Sequence, residues 1–294
     1  MKPILCIYHG GCDDGFAAAW CVRRALGEDN VEFYPGVYQK EPPHHEGRDV
    51  IFVDFSYKAP VLHAMAAKAR TVLILDHHKT AQEDLASLPP PLDGPYNPNA
   101  MEAWQRECNS PNAMHALFDM ERSGAAIAWD YFIGGPRPQF IDYIQDRDLW
   151  RKQLPKGDEF TIALRSYPQD FATWDMFIGG YADMLIEEGS AIQRYYRLRV
   201  EELKRSAYKA RLGDHDIWIA NAPYFAASEV AGELAERGLA FGACYFEVEP
   251  DRFQYSLRSR GDFDVSAIAR QFGGGGHKAA AGFTVRGGAH RPYV

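Results

Sequence analysis

Three short apolar runs, each closed by an acid or an imidazole, limit most strongly what this chain can fold into. Ile4 to Tyr8 ends at His9, Val50 to Val53 ends at Asp54, and Thr71 to Leu75 ends at Asp76-His77-His78. Runs of this length and composition read as strands buried on both faces. Helical segments lie between them, an Ala-rich one from Asp13 to Leu26 and a second from Pro60 to Ala69. Strand and helix in alternation predict an α/β fold with a parallel sheet and right-handed crossovers. Such sheets keep their ligand sites outside the carboxyl ends of the strands. Neighbouring strands are under ~5 Å apart, so the polar residues ending these runs can converge on one point.

The rest of the chain divides by pattern. Gln82 to Asn112 is rich in Pro, Asn and Gly and reads as a long irregular loop. Ser123 is a candidate N-cap for a helix opening at Gly124, and Phe140 to Asp148 is a further element carrying Asp142, Asp146 and Asp148. Tyr181 to Leu212 reads as a long helix whose last part is basic. After it, strand and helix patterns restart: Ile217 to Ala220, Ser228 to Arg237, Phe241 to Val248, Phe253 to Arg258 and Val265 to Phe272. The expected organisation is an N-terminal domain over 1–180, a helical connector over 181–213 and a smaller α/β domain over 214–294.

Composition narrows the function. The chain has 294 residues, 46% of them hydrophobic and 13% aromatic, and a net charge of −8. That is enough apolar material for packed cores, and the acidic balance argues against long nucleic acid gripped by its backbone. The five cysteines, Cys6, Cys12, Cys21, Cys108 and Cys244, include no Cys-x-x-Cys pair, which argues against a disulfide framework or a structural zinc site. No apolar stretch approaches the ~20 residues of a membrane span, and no signal sequence precedes the first strand, so a cytoplasmic protein that does not engage membranes is expected.

Four clusters carry the chemistry: His9, Cys12, Asp13 and Asp14; Asp54; Asp76, His77 and His78; and Asp142, Asp146 and Asp148. A lone aspartate at a strand end is usually a cap or turn former. Three successive strand ends all bearing Asp or His are much harder to explain that way. Carboxylates with imidazoles, and no pair of thiolates, suit Mn²⁺ or Mg²⁺. A carboxylate placed as Asp54 is could bridge two ions ~3.5–4 Å apart, which would clamp a phosphate and acidify a shared water. The run Gly273 to Gly276, followed by His277 and Lys278, offers backbone N–H groups to an anion without Cβ obstruction. Arg258-Ser259, at the end of a strand, adds a guanidinium fork for phosphate or base. A flexible turn and a surface arginine are the plainer readings of these last two features.

With these residues in place the chain resembles the DHH/DHHA1 phosphoesterase superfamily, including its members that degrade very short RNA or cyclic dinucleotides. The resemblance rests on His9-Gly10-Gly11-Cys12-Asp13-Asp14-Gly15, on Asp54, on the triplet Asp76-His77-His78, on Asp146, and on Leu257-Arg258-Ser259 with Gly273 to Gly282. It implies a parallel-sheet DHH domain, a smaller DHHA1 substrate-binding domain, and two divalent cations, usually Mn²⁺, with Mg²⁺ or another divalent ion as the alternative. The implied metal ligands are His9, Asp13 or Asp14, Asp54, His77 and Asp146. His78 would contact the scissile phosphate with Asp76 supporting it, and Arg258, Ser259, Gly274, Gly275, Gly276 and His277 would hold the substrate. The first motif departs from the family, whose two acids are separated by one residue. Either Cys12 stands at the first acid position and Asp14 at the second, or Asp13 takes the first; the pairing Asp14-Gly15 favours Cys12 and Asp14. Asp148 competes with Asp146 for the fourth motif. The expected activity is hydrolysis of short oligonucleotides or a cyclic dinucleotide to mononucleotides. Hydrolysis of polyphosphate or pyrophosphate, and nucleotide sensing by a degenerate metal site, are the alternatives. A homodimer is compatible with this reading.

Overall fold

The computed structural model describes residues 2–38 and 40–292, in two compact units divided between Gln193 and Arg194. The first unit is built on five parallel strands: β1 (Ile4–His9), β2 (Val31–Gly36), β3 (Asp49–Val53), β4 (Thr71–Asp76) and β5 (Met114–Phe118), in the order β2-β1-β3-β4-β5. Every residue of β3 and β4 is buried, as expected of central parallel strands covered on both faces. Alternation divides their side chains between two cores. Cys6, Ile51, Val53, Leu73 and Leu75 pack under α1 (Asp13–Leu26), on one face. Leu5, Ile7, Val50, Phe52, Val72 and Ile74 pack on the other face with Leu62 and Met65 of α2 (Ala59–Ala66).

The chain runs from β1 outward to β2 and then returns to the far side of β1 for β3. The strand order therefore reverses between β1 and β3, and a crevice is expected outside their carboxyl ends. Register carries this further. Tyr8 lies opposite Val53 and Val53 opposite Leu75, so the next residues of the three strands, His9, Asp54 and Asp76, form a row across the sheet end.

The segment expected to be a loop holds two helices, α3 (Lys79–Asp84) and α4 (Pro98–Glu107). Asn97 caps α4 by accepting from the Asn99 and Ala100 amides at 3.1 and 3.2 Å, and Pro98 occupies the first helical position, where its missing N–H is harmless. The prolines here start a helix rather than exclude one. Next come α5 (Gly124–Phe132), α6 (Gln139–Asp148), α7 (Gly157–Leu164), α8 (Phe171–Asp175), a 3₁₀ turn over Met176–Gly179, and α9 (Ala182–Lys204). Ser123 does cap α5, accepting from the Ala126 amide at 3.3 Å.

The helix expected to reach Leu212 stops at Lys204. Tyr208–Leu212 is instead strand β6, with Ala210 and Leu212 buried and Lys209 and Arg211 exposed. That period of two overrides the helical reading. The second unit adds β7 (His215–Asn221), α10 (Tyr224–Ala235), β8 (Gly242–Glu249), β9 (Arg252–Arg258), α11 (Val265–Gln271), β10 (Gly275–Gly276), β11 (Ala280–Arg286) and β12 (His290–Pro292). Its seven-stranded sheet, in the order β10-β11-β9-β8-β7-β6-β12, is antiparallel except where β7 meets β8. Both units together give the α/β class expected, a parallel sheet followed by a smaller α/β unit.

Candidate metal centre

Asp54 is the middle of the site. It follows β3 with φ of +55°, a left-handed conformation that few side chains adopt and Asp tolerates better than most. Its amide donates to Leu75 O at 3.0 Å, which fixes it between the neighbouring strand ends. His9 Nδ1 lies 3.5 Å from Asp54 Oδ2, and His77 Nε2 lies 2.9 Å from Asp54 Oδ1. One carboxylate therefore faces imidazoles from the ends of both flanking strands.

Two triads share this carboxylate's surroundings. His9, Cys12 and Asp54 bring a nitrogen, a sulfur and an oxygen within 4.8 Å of one another, and Asp14, His77 and Asp148 do the same with oxygen and nitrogen. His77 Nε2 is 3.6 Å from Asp14 Oδ2 and 3.5 Å from Asp148 Oδ2. Asp54 Oδ2, Asp148 Oδ2 and His9 Nδ1 are buried atoms that make no hydrogen bond among the described residues. A buried polar atom left this way costs about 1–3 kcal/mol. Three of them at one sheet end fit a cation far better than they fit an ordinary core.

Asp14 is positioned by backbone. The Gly124 and Ala125 amides, at the N-terminus of α5, donate to its two carboxylate oxygens at 2.6 and 3.0 Å, an end of a helix that favours negative charge. Two glycines make the approach possible. A Cβ on Gly124 would stand 2.4 Å from Asp54 Cβ, and one on Gly15 would stand 2.4 Å from His9 O. Asp76, fully buried, orients the triplet: its Oδ1 accepts from the His77 amide at 2.7 Å, the His78 amide at 3.2 Å and His78 Nδ1 at 2.7 Å.

Protonation is shared unevenly. Burial raises Asp54, but the hydrogen bond from His77 and the charges of His77 and His9 outweigh it and hold the carboxyl well below its usual range. Burial alone would lower His77, yet its bond to Asp54 and the nearby Asp148, Asp54 and Asp14 carry it well above the usual imidazole value. Asp76 raises His78 against the same effect of burial. Burial, then Asp54 and Asp148, push Asp14 well up, while Asp148 is raised by burial and by Asp54 against the pull of His77. Burial and the charges of Asp54, Asp148 and Asp14 likewise keep the Cys12 thiol well above its ordinary range. The protons that balance this cluster are those a divalent cation would displace.

Two expected ligands lie elsewhere. Asp13 receives Arg165 Nε at 2.6 Å and Gln169 Nε2 at 3.4 Å, outside the cluster. Asp146 accepts from the Gln153 and Leu154 amides at 2.9 and 3.2 Å and closes the loop after α6. Residues two apart on a helix point about 200° apart, so α6 can present only one of Asp146 and Asp148 to the sheet end, and it presents Asp148. Asp142 stands 3.6 Å from Arg137.

In the second unit, Arg258 Nη2 donates to Ser228 Oγ at 2.7 Å and Nη1 to Leu257 O at 2.9 Å. Ser259 differs from expectation: it is buried, and its hydroxyl donates to Phe263 O at 2.7 Å. The glycine run also serves packing. A Cβ on Gly274 would meet Gly282 O at 2.1 Å, and one on Gly276, where φ is +136°, would meet Ala280 O at 2.6 Å. The Gly273 and Gly274 amides donate to Arg270 O and Ala269 O, and Gly275 and Gly276 pair with β11. The Gly273 and Gly274 amides are therefore engaged within the unit. His277, half-buried, exchanges backbone bonds with Ala280. Gly124 and Tyr38 were not anticipated from sequence; Tyr38 is exposed, with its ring 5.6 Å from His9 and 4.7 Å from Phe55.

Residues 221–291 match the DHHA1 domain family. The uncharacterized protein R106 of Acanthamoeba polyphaga mimivirus is 32% identical over 307 residues, spanning 96% of this chain and 67% of that protein. Among solved structures, an uncharacterized protein of Helicobacter pylori G27 overlaps with a TM-score of 0.43 at 13% identity, covering 100% of this chain and 95% of its own. The pGpG-specific phosphodiesterase PggH of Vibrio cholerae overlaps at 0.43 and 12% identity, covering 97% and 94%. RecJ of Thermus thermophilus, in complex with Mn²⁺, overlaps at 0.44 and 14% identity, covering 95% of this chain and 49% of that one. Overlaps this loose leave the assignment with the sequence relative, the DHHA1 match and the triplet at the end of β4. On those grounds the chain belongs to the DHH/DHHA1 superfamily.

Proposed function

We propose that this protein hydrolyses phosphodiester bonds in short oligonucleotides or a cyclic dinucleotide, releases mononucleotides, and uses two divalent cations, with Mn²⁺ as the principal ion. The observation that carries the reading is Asp54, held between His9 and His77 by its left-handed backbone, with one buried oxygen making no hydrogen bond among the described residues. His9, Cys12, Asp14, Asp54, His77 and Asp148 are the residues that would hold the cations. Bound there, divalent cations would neutralise phosphate charge and acidify water. Asp76 fixes the tautomer and direction of His78 through Nδ1 and raises its affinity for a proton, so that His78 can donate to an anionic phosphate oxygen. In the second unit, Arg258, steadied by Ser228, supplies a guanidinium for the terminal phosphate or base of the substrate. The acidic net charge of −8 suits a small phosphate ligand better than a long strand.

The test is a Mn²⁺ titration with three substrates: a 5′-phosphorylated dinucleotide, a cyclic dinucleotide and polyphosphate. Mononucleotide release from either nucleotide is expected. Cleavage of polyphosphate alone would overturn the substrate assignment, and no turnover with any divalent ion would overturn the enzyme reading. Asp54→Ala should abolish both Mn²⁺ binding and turnover.

A further inference from the structure

The two triads differ in chemical softness. Asp14, His77 and Asp148 offer two hard oxygens and an imidazole. His9, Cys12 and Asp54 offer an imidazole, a sulfur and one oxygen, all within 4.8 Å of one another. Hard carboxylate sites suit Mn²⁺ and Mg²⁺, whereas a thiolate selects softer ions such as Zn²⁺. Three protein ligands of mixed N, S and O type, with a fourth position left for water or substrate, is also the ligand count of catalytic zinc sites.

We propose that the centre takes two different cations, a thiophilic one such as Zn²⁺ on His9, Cys12 and Asp54, and a hard one, Mn²⁺ or Mg²⁺, on Asp14, His77 and Asp148. The proposal rests on the hydrolytic reading above and specifies its metals. It does not stand on the cysteine alone. Asp54 is 1% exposed, and its Oδ2, on the His9 side, makes no hydrogen bond among the described residues. His9 Nδ1, 3.5 Å away, is likewise buried without one. Cys12 immediately precedes α1 in an extended conformation (φ −110°, ψ 137°). The other cysteines do not compete: Cys6, Cys21 and Cys244 are buried in cores, and Cys108 is exposed, and none of them joins an imidazole and a carboxylate among the described residues. Asp54 has an oxygen toward each triad, so one carboxylate can serve both ions.

Cobalt(II) reports the thiolate directly. The full chain is stripped of metal, loaded stepwise with Co²⁺, and followed by absorption spectroscopy. A near-ultraviolet thiolate-to-cobalt charge-transfer band is expected in the wild type and in Cys108→Ser, and is expected to vanish in Cys12→Ser and Cys12→Asp. Metal analysis after loading one equivalent of Zn²⁺ and dialysing against a large excess of Mn²⁺ should find one of each in the wild type, the excess offsetting the weaker intrinsic affinity of Mn²⁺. Cys12→Asp, which keeps a negative ligand, should lose the zinc, its Zn²⁺ affinity falling by more than the ~10–100-fold seen when only a ligand's outer partner is removed. Absence of the band in folded wild type, or its persistence in Cys12→Ser, overturns the proposal. Turnover is read separately. Wild type that hydrolyses a dinucleotide with Mn²⁺ alone and shows no band retains its function but not this metal pairing. A band without turnover under any loading refutes the hydrolytic reading and leaves the thiolate site established.

Discussion

Gly124→Ala tests whether the metal centre depends on the approach of α5 to the sheet end. The added Cβ would lie 2.4 Å from Asp54 Cβ, 2.9 Å from Asp54 Cα and 3.0 Å from Asp14 Oδ2. Carbon atoms in contact sit about 3.5–4.0 Å apart, so the helix start must retreat by roughly 1 Å from a backbone that cannot yield easily. Overpacking of this kind costs about 1–3 kcal/mol. The retreat also stretches the amide bonds from Gly124 and Ala125 to Asp14, now 2.6 and 3.0 Å, and losing one such bond to a charged group costs about 1.5–3 kcal/mol. Alanine's better helix propensity offsets at most ~1 kcal/mol. The net loss is about 1.5–6 kcal/mol against the ~5–15 kcal/mol stability of ordinary domains, so binding and rate are read on the fraction that the unfolding curve shows to be folded. Asp14 and Asp54 are displaced together, and a ~1 Å misplacement lowers turnover about 10²-fold. Urea unfolding without metal gives the stability term, calorimetric Mn²⁺ titration the binding term, and dinucleotide hydrolysis the rate. A variant within about 0.5 kcal/mol of wild type, with unchanged Mn²⁺ affinity, would refute the argument that close packing against Asp54 positions these ligands.

Asp148→Asn should weaken Mn²⁺ binding at least ~10-fold, whereas Asp146→Ala should leave binding unchanged and lower stability by about 1–3 kcal/mol through the stranded Gln153 and Leu154 amides; the opposite pattern in paired titrations would return the fourth motif to Asp146. Ser259→Ala should lower the melting temperature by the loss of about one hydrogen bond, ~1 kcal/mol, with KM unchanged; a raised KM at unchanged stability would restore Ser259 to substrate binding. Metal-free protein should lose stability as pH rises above about 6. The lowered Asp54 contributes stability only above the usual carboxylate range of about 3.9, and the raised His77 contributes below about 6.5 and stops as pH climbs through its raised value. Asp14 and Asp148, both raised, oppose folding increasingly above about 3.9. Excess Mn²⁺ should remove most of that loss, and a melting temperature in chelator that rises between pH 6 and 9 would contradict it.

What the sequence showed and what it hid follow from whether the signal was local. The buried strands β1, β3 and β4 announce themselves because strands covered on both faces must be apolar throughout. β2 and β5 are edge strands. Val31–Gly36 contains Pro35, which an edge position tolerates and a central strand would not, and Met114–Phe118 holds a histidine in an otherwise ordinary run. The row His9, Asp54, Asp76 was legible because register in a parallel sheet aligns strand ends. The choice between Asp146 and Asp148 was not, since it depends on which face α6 turns to the sheet. Gly124 shows the same limit more sharply. As the first residue after a Ser cap it reads as a helix start, and only the fold reveals Asp54 Cβ standing where its own Cβ would be. The glycines from Gly273 to Gly276 suggested an anion cradle because freedom from a Cβ serves that purpose, but it serves the close packing of β10 on β11 equally well.

The features of Asp54, Asp14 and Asp148 that lower stability all point to one remedy. Asp54 holds a left-handed backbone, a conformation that costs of order 1–3 kcal/mol outside glycine. Its Oδ2 and that of Asp148 are buried without hydrogen bonds among the described residues. Asp14 resists ionisation beside them. The partners holding these carboxylates are imidazoles and backbone amides, and none of their ion pairs among the described residues involves Lys or Arg. A site built for stability would place a guanidinium there, since its rigid fork satisfies two carboxylate oxygens at once. Imidazoles can surrender a proton and become metal ligands, which a guanidinium cannot. The choice of His9 and His77 over arginine is therefore what favours the proposed metal centre over a buried salt bridge, and in that proposal Cys12 adds a third group that becomes a strong ligand when its proton leaves.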